Sequence, residues 1–144
     1  MYCLRTPLES DKDTLEKWKL ETILTDDNSI PLSEKQRIVR YVHAEIEKEY
    51  ENYRIIQVRE KDIGCLFVRP YEEGVLLSEI YLLEEYRNQG IGTSLIKDVL
   101  NQYKIVYLWV YKENIKAISL YEKLGFKRKE ETDTRIFMKY IPVS

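Results

Sequence analysis

The chain has 144 residues, 44% hydrophobic and 33% charged, with a formal net charge of −2, which suits one hydrophobic core and predicts a single domain over residues 1–144. That balance leaves no cationic footprint for nucleic acid, and no segment approaches the roughly 18 consecutive apolar residues of a membrane span. The opening "MYCLRTPLESDKD" has no apolar signal segment, so the expected setting is cytoplasmic, with neither a nucleic acid nor a membrane as partner.

"YCLRTP" reads as a first strand stopped by Pro7, after which Ser10-Asp11 can cap a helix to about Leu24, with Leu15, Trp18 and Ile23 inward. "TDDNSIP" reads as a loop. Ser33 with Gln36 resembles a capping box opening a helix to about Tyr50, whose stripe is Ile38, Val39, Val42 and Ile46. "YRIIQVRE" and "IGCLFVRP" read as a hairpin turning at Lys61-Asp62, and "GVLLSEIYLL" as a third strand beyond the turn "YEEG". A helix to about Tyr103, the strand "KIVYLWVY", the helix "NIKAISLYEKLGF" and the strands "FKRKEE" and "TRIFMKYI", joined near Thr132-Asp133, complete a mixed α/β layer arrangement.

Cys3 and Cys65 are far apart and expected to stay reduced, and His43, an ordinary helix histidine, is the sole histidine. The usual zinc ligands cannot be assembled from that set, and no metal is expected.

The chemistry concentrates in "EEYRNQGIGTSLIKDVL". Ile91, Leu95, Ile96, Val99, Leu100 and Tyr103 recur as a helix face, so a helix begins near Gly90. Its first N–H groups lack intrahelical partners and carry the positive end of the dipole. Gly90 and Gly92 let an anion approach the backbone there, and Arg87 adds a cation. A Walker A loop needs a lysine that is absent after Gly92, and the dinucleotide fingerprint needs a third glycine where Leu95 stands. What remains is a strand, an Arg-x-x-Gly-x-Gly turn and a helix, suited to a pyrophosphate.

"YRNQGIGTSLI" resembles the coenzyme A pyrophosphate loop of the GNAT superfamily of N-acetyltransferases, with Arg87, Gly90 and Gly92 at the fixed positions of its Gln/Arg-x-x-Gly-x-Gly/Ala pattern. "VYKENIKAISLYEKLGF" resembles the second motif of that family through Asn114, Ala117, Tyr121, Gly125 and Phe126. The resemblance implies a central mixed, mostly antiparallel sheet of about seven strands flanked by about four helices. It implies acetyl-CoA as co-substrate, held by Arg87, Asn88, Gln89, Gly90, Ile91, Gly92 and Thr93, with contacts from Asn114 and Tyr121. A backbone N–H at Leu82 or Leu83 would receive the oxyanion.

Tyr121 matches the position from which family members protonate the leaving thiolate, a role that its phenol can fill. Glu79, on a strand face with Leu77, Tyr81 and Leu83, is a candidate base, against the alternatives of a solvated or salt-bridged strand face and of water as base. The implied function is acetyl transfer from acetyl-CoA to a primary amine of a small molecule or peptide, by direct attack in a ternary complex. The alternative is a non-catalytic acetyl-CoA-binding sensor or protein-interaction module. Many family members dimerise, so a homodimer stays open. Residues 1–52 hold 8 Lys and Arg against 12 Asp and Glu, a balance of −4 that favours a cationic acceptor or, more simply, reflects an acidic surface.

Overall fold

The computed structural model describes residues 1–24 and 30–142. The Thr25–Ser29 part of the expected loop lies outside the described residues. The elements are β1 (Tyr2–Arg5), α1 (Lys12–Ile23), α2 (Leu32–Glu49), β2 (Tyr53–Val58), β3 (Lys61–Tyr71), β4 (Gly74–Leu82), α3 (Ile91–Gln102), β5 (Val106–Tyr111), α4 (Ile115–Leu124), β6 (Lys127–Glu131) and β7 (Arg135–Tyr140). The strands form one sheet in the order β1-β2-β3-β4-β5-β7-β6. The ladders β1–β2, β5–β7 and β6–β7 are antiparallel and β4–β5 is parallel. This is the expected mixed, mostly antiparallel sheet with four α-helices.

Contacts group the chain into two compact units, Met1–Leu66 with Tyr81–Glu85, and Phe67–Ile80 with Tyr86–Ser144. In the first unit, Leu15 and Trp18 of α1 and Val42 and Ile46 of α2 are buried, as helical spacing requires. Ile23 and Val39, expected inward, are instead exposed, since both lie at the margin of the apolar stripe on their helix. Trp18 stacks on Tyr81 with ring centroids 5.2 Å apart, and the Tyr81 hydroxyl donates to Glu21.

Two boundaries differ from expectation. Helix α2 starts at Leu32 with Pro31 as its N-cap, whose φ of −59° is already set for a helix, so Ser33 is an interior residue and makes no capping box. The β2–β3 turn is Arg59-Glu60, with φ of +51° and +67°, and β3 begins at Lys61, two residues earlier than the sequence suggests. Two left-handed residues match the strand twist of a tight hairpin, although neither residue type advertises it.

Asp11 shows why the first helix starts where it does. Its carboxylate accepts the Leu8 N–H at 2.7 Å and two Arg5 bonds at 2.8 and 2.9 Å, so it closes the turn before α1 rather than capping the helix. Arg5 also donates to Asp62 at 3.1 and 2.7 Å, and Asp62 accepts from Gln57 at 2.8 Å. One guanidinium thereby fastens β1, the entry to α1 and β3.

In the second unit, β5 lies between β4 and β7, in register from Val106↔Tyr140 to Tyr111↔Arg135 on the β7 side. Tyr107 and Phe137 stack 5.5 Å apart on one face, beside Trp109. Leu95, Ile96 and Val99 of α3 and Ile118 of α4 are buried. β6 is an edge strand of five exposed charged residues with a bulge between Arg128 and Glu130, features that blunt a sheet edge.

Arg5 holds the Asp11 and Asp62 carboxyls below the usual carboxylate range, chiefly through their hydrogen bonds. A depressed carboxyl stabilises the fold above its unfolded value, about 4, and loses that contribution as pH falls through its folded value. Urea melts should therefore show stability declining on acidification below about pH 4. Asp11→Asn should cost about 1–3 kcal/mol at neutral pH and flatten that decline; a variant with unchanged melts at both pH values would refute the role of this node.

Candidate active site

β4 and β5 are parallel neighbours, so the segment after β4 and the turn after β5 leave the same end of the sheet, where α/β proteins bind ligands. Among the described residues their ladder covers Val75↔Val106 and Leu76↔Tyr107, whereas β5 stays paired with β7 to Tyr111. The two strands thus part toward their carboxyl ends. Each then leads to a helix N-terminus.

The two N-termini are finished differently. At α4 the Asn114 side chain accepts the Ala117 N–H at 3.2 Å, an ordinary cap. At α3 the N-cap is Gly90, with φ of +87°, no side chain caps the helix, and its first turn contains no acidic residue. Asn88, at φ +60°, turns the loop in the same left-handed sense. The exposed dipole end of a helix of 12 residues is therefore left to whatever binds there.

The glycines have separate reasons. Gly90 needs its left-handed φ, which L side chains rarely adopt. Gly92 does not: it sits in the first turn of α3, and a Cβ built on it would meet nothing within 4 Å. The fold places no demand for glycine at position 92, where alanine is the better helix former. The missing methyl leaves space beside the first N–H groups of α3, which is the cradle a pyrophosphate needs. Arg87, Asn88 and Gln89 are exposed on the loop, and Ile91 and Thr93 are half-buried at the helix start.

Tyr121 lies on α4, half-buried, and burial pushes its phenol up from the ordinary value. The group is thus held protonated, as a proton donor requires. Glu79 is half-buried on β4, in the same unit as Tyr121, Asn114 and the loop. Leu82 and Leu83 belong to the other unit, where the Leu83 N–H donates to the Ile63 carbonyl at 2.8 Å. That bond occupies the Leu83 N–H just beyond the end of β4.

A groove of about 660 Å³ in the first unit was not anticipated. It runs along one face of α1, Asp13, Glu16, Lys17, Leu20, Glu21 and Leu24, facing His43 of α2. His43 Nδ1 is 3.0 Å from Glu16 Oε2, and this hydrogen bond raises the imidazole pKa. The spacing of those acids at helical intervals was readable in the sequence, but whether they faced solvent or a groove was not. Among the described residues no cluster of three or more His, Cys, Asp or Glu could hold a metal, and no helix is long and apolar enough to cross a membrane.

Residues 36–128 match the acetyltransferase (GNAT) domain family. An uncharacterised N-acetyltransferase of Methanocaldococcus jannaschii is 32% identical over 97 residues, covering 59% of this chain and 43% of that protein. An N-alpha-acetyltransferase of Saccharolobus solfataricus is 47% identical over 55 residues, covering 34% of this chain and 33% of its own. The matched stretches thus span less than half the length of these relatives. The PaiA N-acetyltransferase of Thermoplasma acidophilum, solved in complex with coenzyme A, superimposes with a TM-score of 0.74 at 19% identity over 99% of both chains, a likeness of fold.

Gly92→Trp separates a turn from a cradle. The variant should fold, since a Cβ at this position meets nothing within 4 Å. Its coenzyme A affinity, read by calorimetry, should fall about tenfold to a hundredfold as bonds to the charged phosphates are lost. Unchanged affinity would show that the space beside Gly92 holds no ligand.

Proposed function

The chain belongs to the acetyltransferase (GNAT) domain family, and on that premise we propose that residues 1–144 form one N-acetyltransferase domain, moving an acetyl group from acetyl-CoA to a primary amine of a small molecule or peptide. The observation that carries the reading is Gly92, a glycine for which the fold has no use, at the uncapped N-terminus of α3. Acetyl-CoA supplies an activated thioester when bound. Arg87 and the backbone of Asn88 to Thr93 grip its pyrophosphate, and Asn114 contacts the coenzyme from the start of α4. The backbone at Leu82 is assigned, by its position along the strand, to the acetyl carbonyl.

Attack by the neutral amine on the carbonyl and departure of the thiolate both need proton management. Tyr121 donates to the departing sulfur, a role supported by its place in the second motif and by the burial that keeps its phenol neutral. Glu79, or water beside it, takes the proton of the ammonium substrate. The balance of −4 over residues 1–52 supports including cationic acceptors among the candidates. Cys3, exposed, and Cys65, buried, form no disulfide with each other, which suits a reducing cytoplasm.

The test is calorimetric titration with acetyl-CoA, with NADH and ATP as controls, followed by thiol release with spermidine, an aminoglycoside and peptides bearing free N-termini. Selective binding with turnover of one acceptor is expected. Binding without turnover of any amine would favour a coenzyme-binding sensor, and no binding by the folded protein would sink both readings.

Tyr121→Phe should lower kcat by about 10²–10⁴ with little change in acetyl-CoA affinity. In the unaltered protein the phenol stays protonated until pH passes its raised pKa, so the Tyr121-dependent loss of turnover should lie above about pH 10. An undiminished rate in the phenylalanine variant would return Tyr121 to the core.

A further inference from the structure

Resting on the reading of Tyr121 as the proton donor, we propose that Tyr140 is a positioning residue for the reaction: its ring, seated over Gly125 and against Phe126, determines where the Tyr121 phenol points. Three rings form a row. Phe126 lies 5.7 Å from Tyr121 and 5.6 Å from Tyr140, centroid to centroid, at interplanar angles of 58° and 48°. Phe126, the middle ring, is only 2% exposed.

The end of α4 is built to hold this row. Gly125 takes φ +111°, and the Phe126 N–H reaches back to the Tyr121 carbonyl at 2.9 Å, so the backbones of two of the three aromatic residues are tied directly. A Cβ on Gly125 would come within 3.1 Å of Tyr140 Cε1, so the bare glycine is what lets the Tyr140 ring lie there. Tyr140 is itself fixed in the sheet, opposite Val106 of β5. At the Tyr121 end, burial is what raises the phenol. The ring that carries the hydroxyl packs against Phe126, and this packing gives the hydroxyl its direction. A donor placed by packing depends on the last ring of the row as much as on its own neighbour.

The experiment compares Tyr140→Leu, which removes the ring, with Tyr140→Phe, which keeps it. Phe126→Leu provides a second break in the row if Tyr140→Leu does not fold. Ring-labelled tyrosine NMR, with the Tyr121 signal identified by its loss in Tyr121→Phe, follows the phenol across pH without any acceptor. In Tyr140→Leu the Tyr121 resonance should shift and its titration midpoint should move down toward an ordinary phenol, while Tyr140→Phe should match the unaltered protein.

With the acceptor found by thiol release, kcat of Tyr140→Leu should fall about ten- to a hundredfold. KM for acetyl-CoA should stay within about twofold. The double variant with Tyr121→Phe should be no slower than Tyr121→Phe alone. A Tyr121 signal and midpoint untouched by Tyr140→Leu, or fully additive losses in the double variant, would overturn the positioning role. Full turnover in Tyr121→Phe would instead overturn the donor assignment on which it rests, with the NMR shift still present.

Discussion

The parallel pairing of β4 with β5 is the constraint from which the site follows. Parallel strands cannot be joined by a tight turn, so the chain must cross over, and α3 is that crossover. The crossover sends the loop before α3 and the turn before α4 to one end of the sheet. Because the ladder is short, β4 and β5 diverge beyond Leu76 and Tyr107 and are held by other neighbours, β5 by β7 throughout. Two helix N-termini are thus brought to one end of the sheet by strand topology before any side chain is chosen. Side chains then decide which N-terminus is closed, by Asn114, and which is left open, at Gly90.

The glycines of the second unit divide the work of structure and function. Gly125 answers to geometry twice over, through its left-handed φ and the ring lying on it. Gly90 answers to backbone conformation. Gly92 answers to neither, and its missing Cβ leaves the start of α3 open. Residues whose identity the fold does not explain are the informative ones, since local rules are broken chiefly where function requires it.

Much of this was legible in the sequence, and the exceptions have physical reasons. The order of strands and helices followed from periodicities, because apolar residues such as Leu95, Ile96 and Val99 repeat with one period and the strand residues with another. The hairpin turn was misplaced by a step because Arg59 and Glu60 take left-handed conformations with no glycine or asparagine to announce them. The start of α2 was misplaced because Pro31 presets the helix before Ser33 is reached. The turn before α3 was visible because a left-handed N-cap selects glycine, and Gly90 stands there. Tyr140 was invisible because its importance comes from which rings meet in space, and neither the strand period of β7 nor the helix period of α4 records that meeting.

The order of the sheet also bears on when the molecule becomes competent. β7 follows β6 in the chain yet lies between β5 and β6, so β6 has no seat until β7 has been laid against β5. Synthesis delivers β6 first, and it must wait. The row of rings that ends in Tyr140 is closed by the same insertion, which makes the surroundings of Tyr121 one of the last features to form. A nascent chain that has already shaped the Gly90 turn would still lack the packing around Tyr121, so that the proposed grip and the proposed proton donor would arise at different moments in the life of one polypeptide.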